Sequence, residues 1–164
     1  MDEKVEKNFL DLLEKNQKII HKICRIYSNE EGYKDLFQEI VIQLWKSYSS
    51  FKGESKFTTW MYSVSLNTAM SLFRKVKKHE TKIDIELVQD KIKHDEINDD
   101  DEIKVKKMYQ AIHQLNDVDK ALIMMYLDDK DYSEISRILG ITEGNARVKM
   151  NRARNKLKQL IKNR

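Results

Sequence analysis

The chain has 164 residues, 31 Lys/Arg against 27 Asp/Glu and a formal net charge of +4. A single cysteine excludes an intrachain disulfide, four scattered histidines lack ligand spacing, and four isolated glycines form no phosphate loop. Composition therefore supplies no catalytic, metal or cofactor site, and the expectation is a non-enzyme of one ordinary domain or two very small ones. No run approaches the ~20 apolar residues that span a bilayer, and no signal peptide precedes the first periodic segment. A soluble, cytoplasmic protein without membrane insertion is expected.

With no proline, 35% charged residues and long apolar patterns of 3.6-residue period, the sequence predicts an all-α fold. Charge comes in blocks. Residues 1–79 carry 14 Lys/Arg and 10 Asp/Glu; residues 80–105 carry 4 and 10; residues 106–164 carry 13 and 7. That order suggests two small helical domains, both facing nucleic acid, joined by a flexible acidic linker. A solvated linker between ordinary helical domains gives the same charge pattern, so charge alone does not decide.

In chain order, residues 3–28 predict a helix with Val5, Phe9, Leu12, Leu13, Ile19, Ile20, Ile23 and Ile26 along one stripe. Cys24 sits inside that stripe and reads as a buried, inert thiol. Asn29 to Gly32 predict a turn, and a second helix runs from about Tyr33 to Tyr48. On it Leu36, Phe37, Ile40, Val41 and Leu44 share a face, while Gln38, Glu39, Ile42, Trp45 and Lys46 fall on the opposite arc. An isoleucine and a tryptophan among polar groups suggest a partner surface; packing beneath a neighbouring helix is the alternative. Ser49 to Lys56 reads as a loop and Phe57 to Lys78 as a third helix. The connector centres on His94 to Glu102, whose clustered acids repel and bury little.

Past the connector, a helix from about Glu102 to Leu115 leads into Val118–Leu127, Tyr132–Leu139 and Thr142–Lys162. Ile135, Ile138 and Leu139 form an inward face, Gly140 can end that helix in the left-handed conformation, Ile141 plugs the core and Thr142 can cap the next helix. This is the tight turn of a DNA-binding helix-turn-helix. On the last helix Ala146, Met150, Ala153 and Leu157 face inward; Gly144, Arg147, Val148, Asn151, Arg152 and Asn155 face outward. From Arg147 to Arg164 there are eight Lys/Arg and no acid. Arg pairs with guanine, Asn with adenine and Val with a thymine methyl, whereas Lys149, Arg154, Lys156 and Lys158 suit phosphates.

The segments Leu115 to Lys120, Tyr132 to Ile135, Leu139 to Gly144 and Lys149 to Arg154 closely resemble region four of RNA polymerase sigma factors. Upstream, Asp35-Leu36-Phe37-Gln38-Glu39 with Trp45 resembles the polymerase-binding segment of sigma region two. Phe51 to Met61, Asn67 to Ala69 and Arg74-Lys75 resemble the part of region two that recognises and melts the −10 element. The two motif sets in this order resemble the extracytoplasmic-function (ECF) group of the sigma-70 family. Ser71, where the family often has an acid, and Asn116, replacing a common proline, depart from the pattern. The brevity between residues 79 and 106 leaves no room for region three, and none is available for an N-terminal inhibitory region.

The resemblance implies region two over 1–79, a linker over 80–105 and region four over 106–164. It implies core RNA polymerase as partner, docked through Asp35, Gln38, Glu39, Ile42 and Trp45 on the clamp helices of the largest subunit. It implies −10 DNA contacts by Phe51, Lys52, Gly53, Glu54, Ser55, Trp60, Asn67, Arg74 and Lys75, and −35 contacts by Thr142, Gly144, Arg147, Val148, Lys149, Asn151, Arg152 and Asn155. Holding unstacked bases needs aromatic platforms, which Phe51, Phe57, Trp60 and Tyr62 can supply in part, with backbone cations at Arg74, Lys75, Lys77 and Lys78. The linker is expected to thread toward the RNA exit path. An anti-sigma protein enters as a candidate partner that no residue singles out. A stand-alone activator using only the helix-turn-helix would leave residues 33–75 unexplained and bind an operator tightly without polymerase, whereas a two-domain helical adaptor would have no promoter-specific effect on DNA.

Overall fold

The computed structural model describes residues 2–79 and 99–163, and these residues are helical apart from short turns. Three helices, α1 (Glu3–Tyr27), α2 (Tyr33–Ser47) and α3 (Phe57–His79), make the first module. Four more, α4 (Asp99–His113), α5 (Asp117–Leu127), α6 (Tyr132–Leu139) and α7 (Glu143–Lys162), make the second. A single 3-10 turn, Tyr48–Ser50, closes α2.

The stripes read from periodicity turn inward, with Phe9, Ile20, Ile23, Ile26, Leu36, Ile40 and Leu44 buried and Val5, Leu12, Leu13, Ile19, Phe37 and Val41 half-buried. Ile20, Ile23 and Cys24 of α1 meet Ile40 and Leu44 of α2 and Met61 and Leu66 of α3, all with 1% or less of their surface exposed. Burial on the order of 2 kcal/mol for each such side chain holds three helices that would be marginal alone. The same burial pushes the Cys24 thiol up to about 12, so it stays protonated and unreactive. Asn29 shapes the α1–α2 turn: its Oδ1 accepts a 2.8 Å bond from the Gly32 N–H.

In the second module the helix ends carry the architecture. Asn116, Asp131 and Thr142 are the N-caps of α5, α6 and α7, accepting from the third backbone N–H onward at 2.8, 2.8 and 3.1 Å. Asn116 thus starts α5 with a side-chain cap. Gly140 has φ 66° and ψ 35°, and the Ile141 N–H reaches back to the Ser136 carbonyl at 3.1 Å, closing α6 in a Schellman turn. Ile135 and Ile138 are buried where α6 packs on α7 and α3, and Ala146, Met150 and Ala153 are buried where α7 packs on α5.

One boundary differs from expectation. α4 begins at Asp99, three residues before Glu102, so Asp99 to Glu102 form its first turn. Acids there meet the positive end of the helix dipole, which offsets their mutual repulsion. The rest of the acidic connector, residues 80–98, lies outside the described residues.

His113, at the end of α4, has its Nε2 buried without a hydrogen-bond partner. Burial first, and then the nearby Lys120 ammonium, lower its pKa from 6.5 to about 4. A depressed pKa in a base means the folded state resists protonation. Stability tied to His113 is therefore complete above pH 6.5 and declines as pH falls toward 4. We expect the urea midpoint of the wild-type chain to drop more between pH 7 and pH 5 than that of His113→Gln, by up to roughly 2 kcal/mol of stability. Equal pH dependence in the two proteins would refute this. Gly140→Ala places a Cβ at positive φ, and equilibrium urea unfolding should show a loss of about 1 kcal/mol.

Candidate nucleic-acid and polymerase interfaces

Three surfaces carry the candidate residues. On α2, Asp35 and Gln38 are exposed and Glu39 is half-buried, bonded to Gln43 at 2.8 Å. The apolar pair of the outward arc divides. Ile42 is 44% exposed, whereas Trp45 is half-buried with its ring 4.9 Å from Phe9 of α1. Both alternatives read from periodicity are therefore realised, one at each residue. Beside them lies a shallow apolar groove lined by Phe9, Leu10, Val41, Ile42 and Trp45, with Glu6 and Lys46 at its margin. Leu10 of α1 is 52% exposed here. The sequence reading missed it because it lies off the α1 stripe.

The second surface is the loop before α3. Phe51, Phe57 and Trp60 are mutually packed, with ring centroids 5.2 to 5.7 Å apart, and each keeps part of its surface exposed. Lys52, Gly53 and Glu54 are exposed and Ser55 is half-buried; Gly53 has φ 73°, so the loop bends where a side chain would be strained. Asn67, Arg74 and Lys75 are exposed farther along α3. Tyr62 is not available as a platform. It is 2% exposed and its hydroxyl donates to the Asp128 carboxylate. Burial and that carboxylate raise its pKa, keeping the donor proton in place. Lys77 and Lys78 fall on the last turn of α3.

The third surface is α7. Thr142, Gly144, Arg147, Val148, Asn151, Arg152 and Asn155 are exposed, while Ala146, Met150 and Ala153 are buried behind them. Lys149 is half-buried and turns toward α3, lining a cleft with Asn67, Ser71 and Arg74. Two arginines are held over aromatic rings: Arg147 is 4.6 Å from the Tyr132 centroid and Arg154 4.5 Å from that of Tyr126. Such stacking leaves the guanidinium edge free to donate while restricting its rotamers. The Lys156 ammonium is 2.8 Å from Asp119, which removes it from the free cations of this helix. Among the described residues no group of three or more His, Cys, Asp or Glu is arranged to hold a metal. No described helix is long and apolar enough to cross a membrane.

A three-helix module with an exposed aromatic loop, joined to a capped helix-turn-helix with a cationic outer face, defines a two-module helical protein built to meet nucleic acid. Residues 12–79 match the family description "Sigma-70 region 2", and residues 106–157 match "Sigma-70, region 4". The chain belongs to the sigma-70 family of RNA polymerase sigma factors, in its extracytoplasmic-function group. Among similar proteins is the ECF RNA polymerase sigma factor SigW of Bacillus subtilis, 26% identical, with 94% of this chain and 89% of that protein covered. RNA polymerase sigma factor YlaC of the same organism is 27% identical, covering 87% and 85%. The ECF RNA polymerase sigma-E factor of Escherichia coli is 25% identical, covering 87% and 84%.

Two solved structures share the fold. The sigma factor RpoE bound to the anti-sigma factor NepR, from Bartonella quintana, superposes with a TM-score of 0.71 at 19% identity, covering 95% of this chain and 98% of that one. CnrH in complex with the cytosolic domain of CnrY gives 0.68 at 16% identity, covering 96% and 89%. As a member of the sigma-70 family, the protein acts in transcription initiation as a sigma factor, a role that is not enzymatic.

The divided arc of α2 makes a direct prediction. Ile42→Ala should change unfolding stability by no more than about 0.5 kcal/mol, because its side chain is largely in water. Trp45→Ala should cost about 2 kcal/mol by removing ring contacts with α1. Urea titrations of both variants, followed by circular dichroism, check this.

Proposed function

We propose that the chain is a promoter-specificity subunit that binds core RNA polymerase, reads the −35 and −10 elements and helps melt the −10 DNA. The observation that carries this reading is the exposed face of α7. Seven of its eight candidate base- or backbone-contacting residues are exposed on one helix that has no acid from residue 147 onward. An arginine, an amide and a β-branched methyl pair on one helix face match the donor, acceptor and methyl pattern of a major groove. Arg147 and Arg152 then specify bases, Asn151 and Asn155 add amide contacts, and Lys149 and Lys158 position the helix on phosphates.

The half-exposed cluster of Phe51, Phe57 and Trp60 supports capture of an unstacked base beside Gly53, where the backbone can approach closely. Asn67 supplies a base-edge donor and acceptor, and Arg74 and Lys75 supply backbone cations. Polymerase docking rests on Asp35, Gln38 and Ile42, with Trp45 stiffening the surface from behind. The clamp helices of the largest polymerase subunit are the partner that this apolar-centred, polar-rimmed arc fits. The chemistry of RNA synthesis stays with the polymerase, and the work is carried out in the cytoplasm. One solved neighbour, the sigma factor RpoE, is bound to the anti-sigma factor NepR, which supports an anti-sigma partner for this chain as well.

Run-off transcription on fragmented genomic DNA, with core polymerase in the presence and absence of this protein, tests the reading. Discrete new starts are expected only with the protein. Arg152→Ala should reduce initiation from those starts about tenfold or more, matching the ~1–3 kcal/mol of a base contact. Ile42→Asp should abolish polymerase binding while leaving the fold intact. Absence of new starts together with tight binding of the free chain to a DNA operator would replace this reading with a stand-alone activator.

A further inference from the structure

The cations of α7 are held in two different ways. Lys156 is bound by the Asp119 carboxylate at 2.8 Å, so its charge is committed within the protein. Arg147 is held by a ring instead: its guanidinium carbon lies 4.6 Å from the Tyr132 centroid. A ring face attracts the cation through its quadrupole and engages none of the guanidinium's N–H donors, which fan out in the guanidinium plane. A carboxylate paired with it in bidentate fashion would occupy two of them. Arg147 is thus restrained in direction and still complete as a donor.

Tyr132 is placed to act as a fixed support. It is the first residue of α6, directly after the Asp131 cap, whose carboxylate accepts the Glu134 N–H at 2.8 Å. Its ring is half-buried and packed on the core, which leaves it little freedom to follow a moving partner. Arg147 is exposed, on a long side chain whose rotamers are otherwise nearly free. It also lies near the start of α7, and the N-terminal part of the second helix of a helix-turn-helix is the part that meets base edges. Arg154, 4.5 Å from the Tyr126 centroid, sits about two turns farther along, where the helix is better placed for phosphates.

We propose that Tyr132 is a positioning residue for −35 recognition: its ring face aims the Arg147 guanidinium at a guanine edge, and so sets sequence preference through Arg147. The inference rests on the reading of α7 as the −35 contact helix and deepens it. Bidentate pairing with guanine needs two N–H donors of one guanidinium edge brought into the plane of the base. Restricting the side chain beforehand raises the fraction of molecules already competent to pair. A cation stacked on a ring at a partly solvated site changes that fraction about twofold to fivefold.

Run-off transcription with core polymerase and the full chain tests this, on a promoter recovered from genomic DNA and its single-base variants through the −35 element. Preference at each position is the ratio of initiation on the parent promoter to that on the variant. Arg147→Ala should reduce this ratio about tenfold at one guanine and leave the other positions unchanged. Tyr132→Leu keeps an apolar side chain on α6 but has no ring face, and should reduce the ratio at the same guanine about twofold to fivefold. Tyr132→Phe should retain it, and Tyr132→Leu should add nothing in the Arg147→Ala background. A merely structural loss in α6 would lower initiation on every promoter alike and leave all ratios where they were. An unchanged ratio at the Arg147 guanine in Tyr132→Leu overturns the inference, as does a Tyr132→Phe variant that loses as much as Tyr132→Leu. If no new starts appear, or if Arg147→Ala leaves every ratio unchanged, the base-reading premise falls and the inference with it, an outcome that the Arg147 variant separates from failure of the Tyr132 role alone.

Discussion

An eight-residue helix is not stable alone in water, and the second module depends on holding one such helix, α6, in a defined place. Its start is fixed by the Asp131 cap and its end by Gly140 at positive φ, with Ile141 turning back to the Ser136 carbonyl. Ile135 and Ile138 are then buried where α6 packs on α7 and on α3. The direction in which α7 leaves the turn follows, and with it the orientation of Arg147, Asn151 and Arg152 toward solvent. The cationic face of α7 is held toward solvent because the short helix before it is clamped at both ends.

The first module solves a different problem with the same material. Three long amphipathic helices bury Ile20, Ile23, Ile40, Leu44, Met61 and Leu66, leaving two surfaces unsatisfied by the core. One is the Ile42 and Leu10 edge of the groove between α1 and α2; the other is the aromatic loop with its glycine bend. Apolar groups left in water at the edge of an otherwise well-packed bundle are what a macromolecular partner can cover.

Periodicity and capping chemistry made much of this legible in advance. The buried stripe of α1, the inward face of α2, the Asn29 turn and the Gly140-Ile141-Thr142 junction all follow from residue type and spacing. Resemblance to region two and region four added family identity, which physical reading of charge could not, since a plain solvated linker carries the same pattern. The limits were equally local. Trp45 and Ile42 share an arc, but only the position of Phe9 decides that the indole packs and the isoleucine does not. Tyr62 reads as aromatic surface until Asp128, 66 positions away, accepts its hydroxyl proton bond.

The sequence by itself determined the helices, their caps, their inward faces and the concentration of cations on α7, because each depends on neighbours within a few residues. The tertiary structure decided which polar groups are spoken for. Lys120, Lys22, Arg74 and Asp128 look like ordinary surface charges along the chain, yet they meet partners 43 to 106 positions away or aromatic rings of the other module. Pairing at such separations is set by how whole helices pack, and no local pattern encodes it.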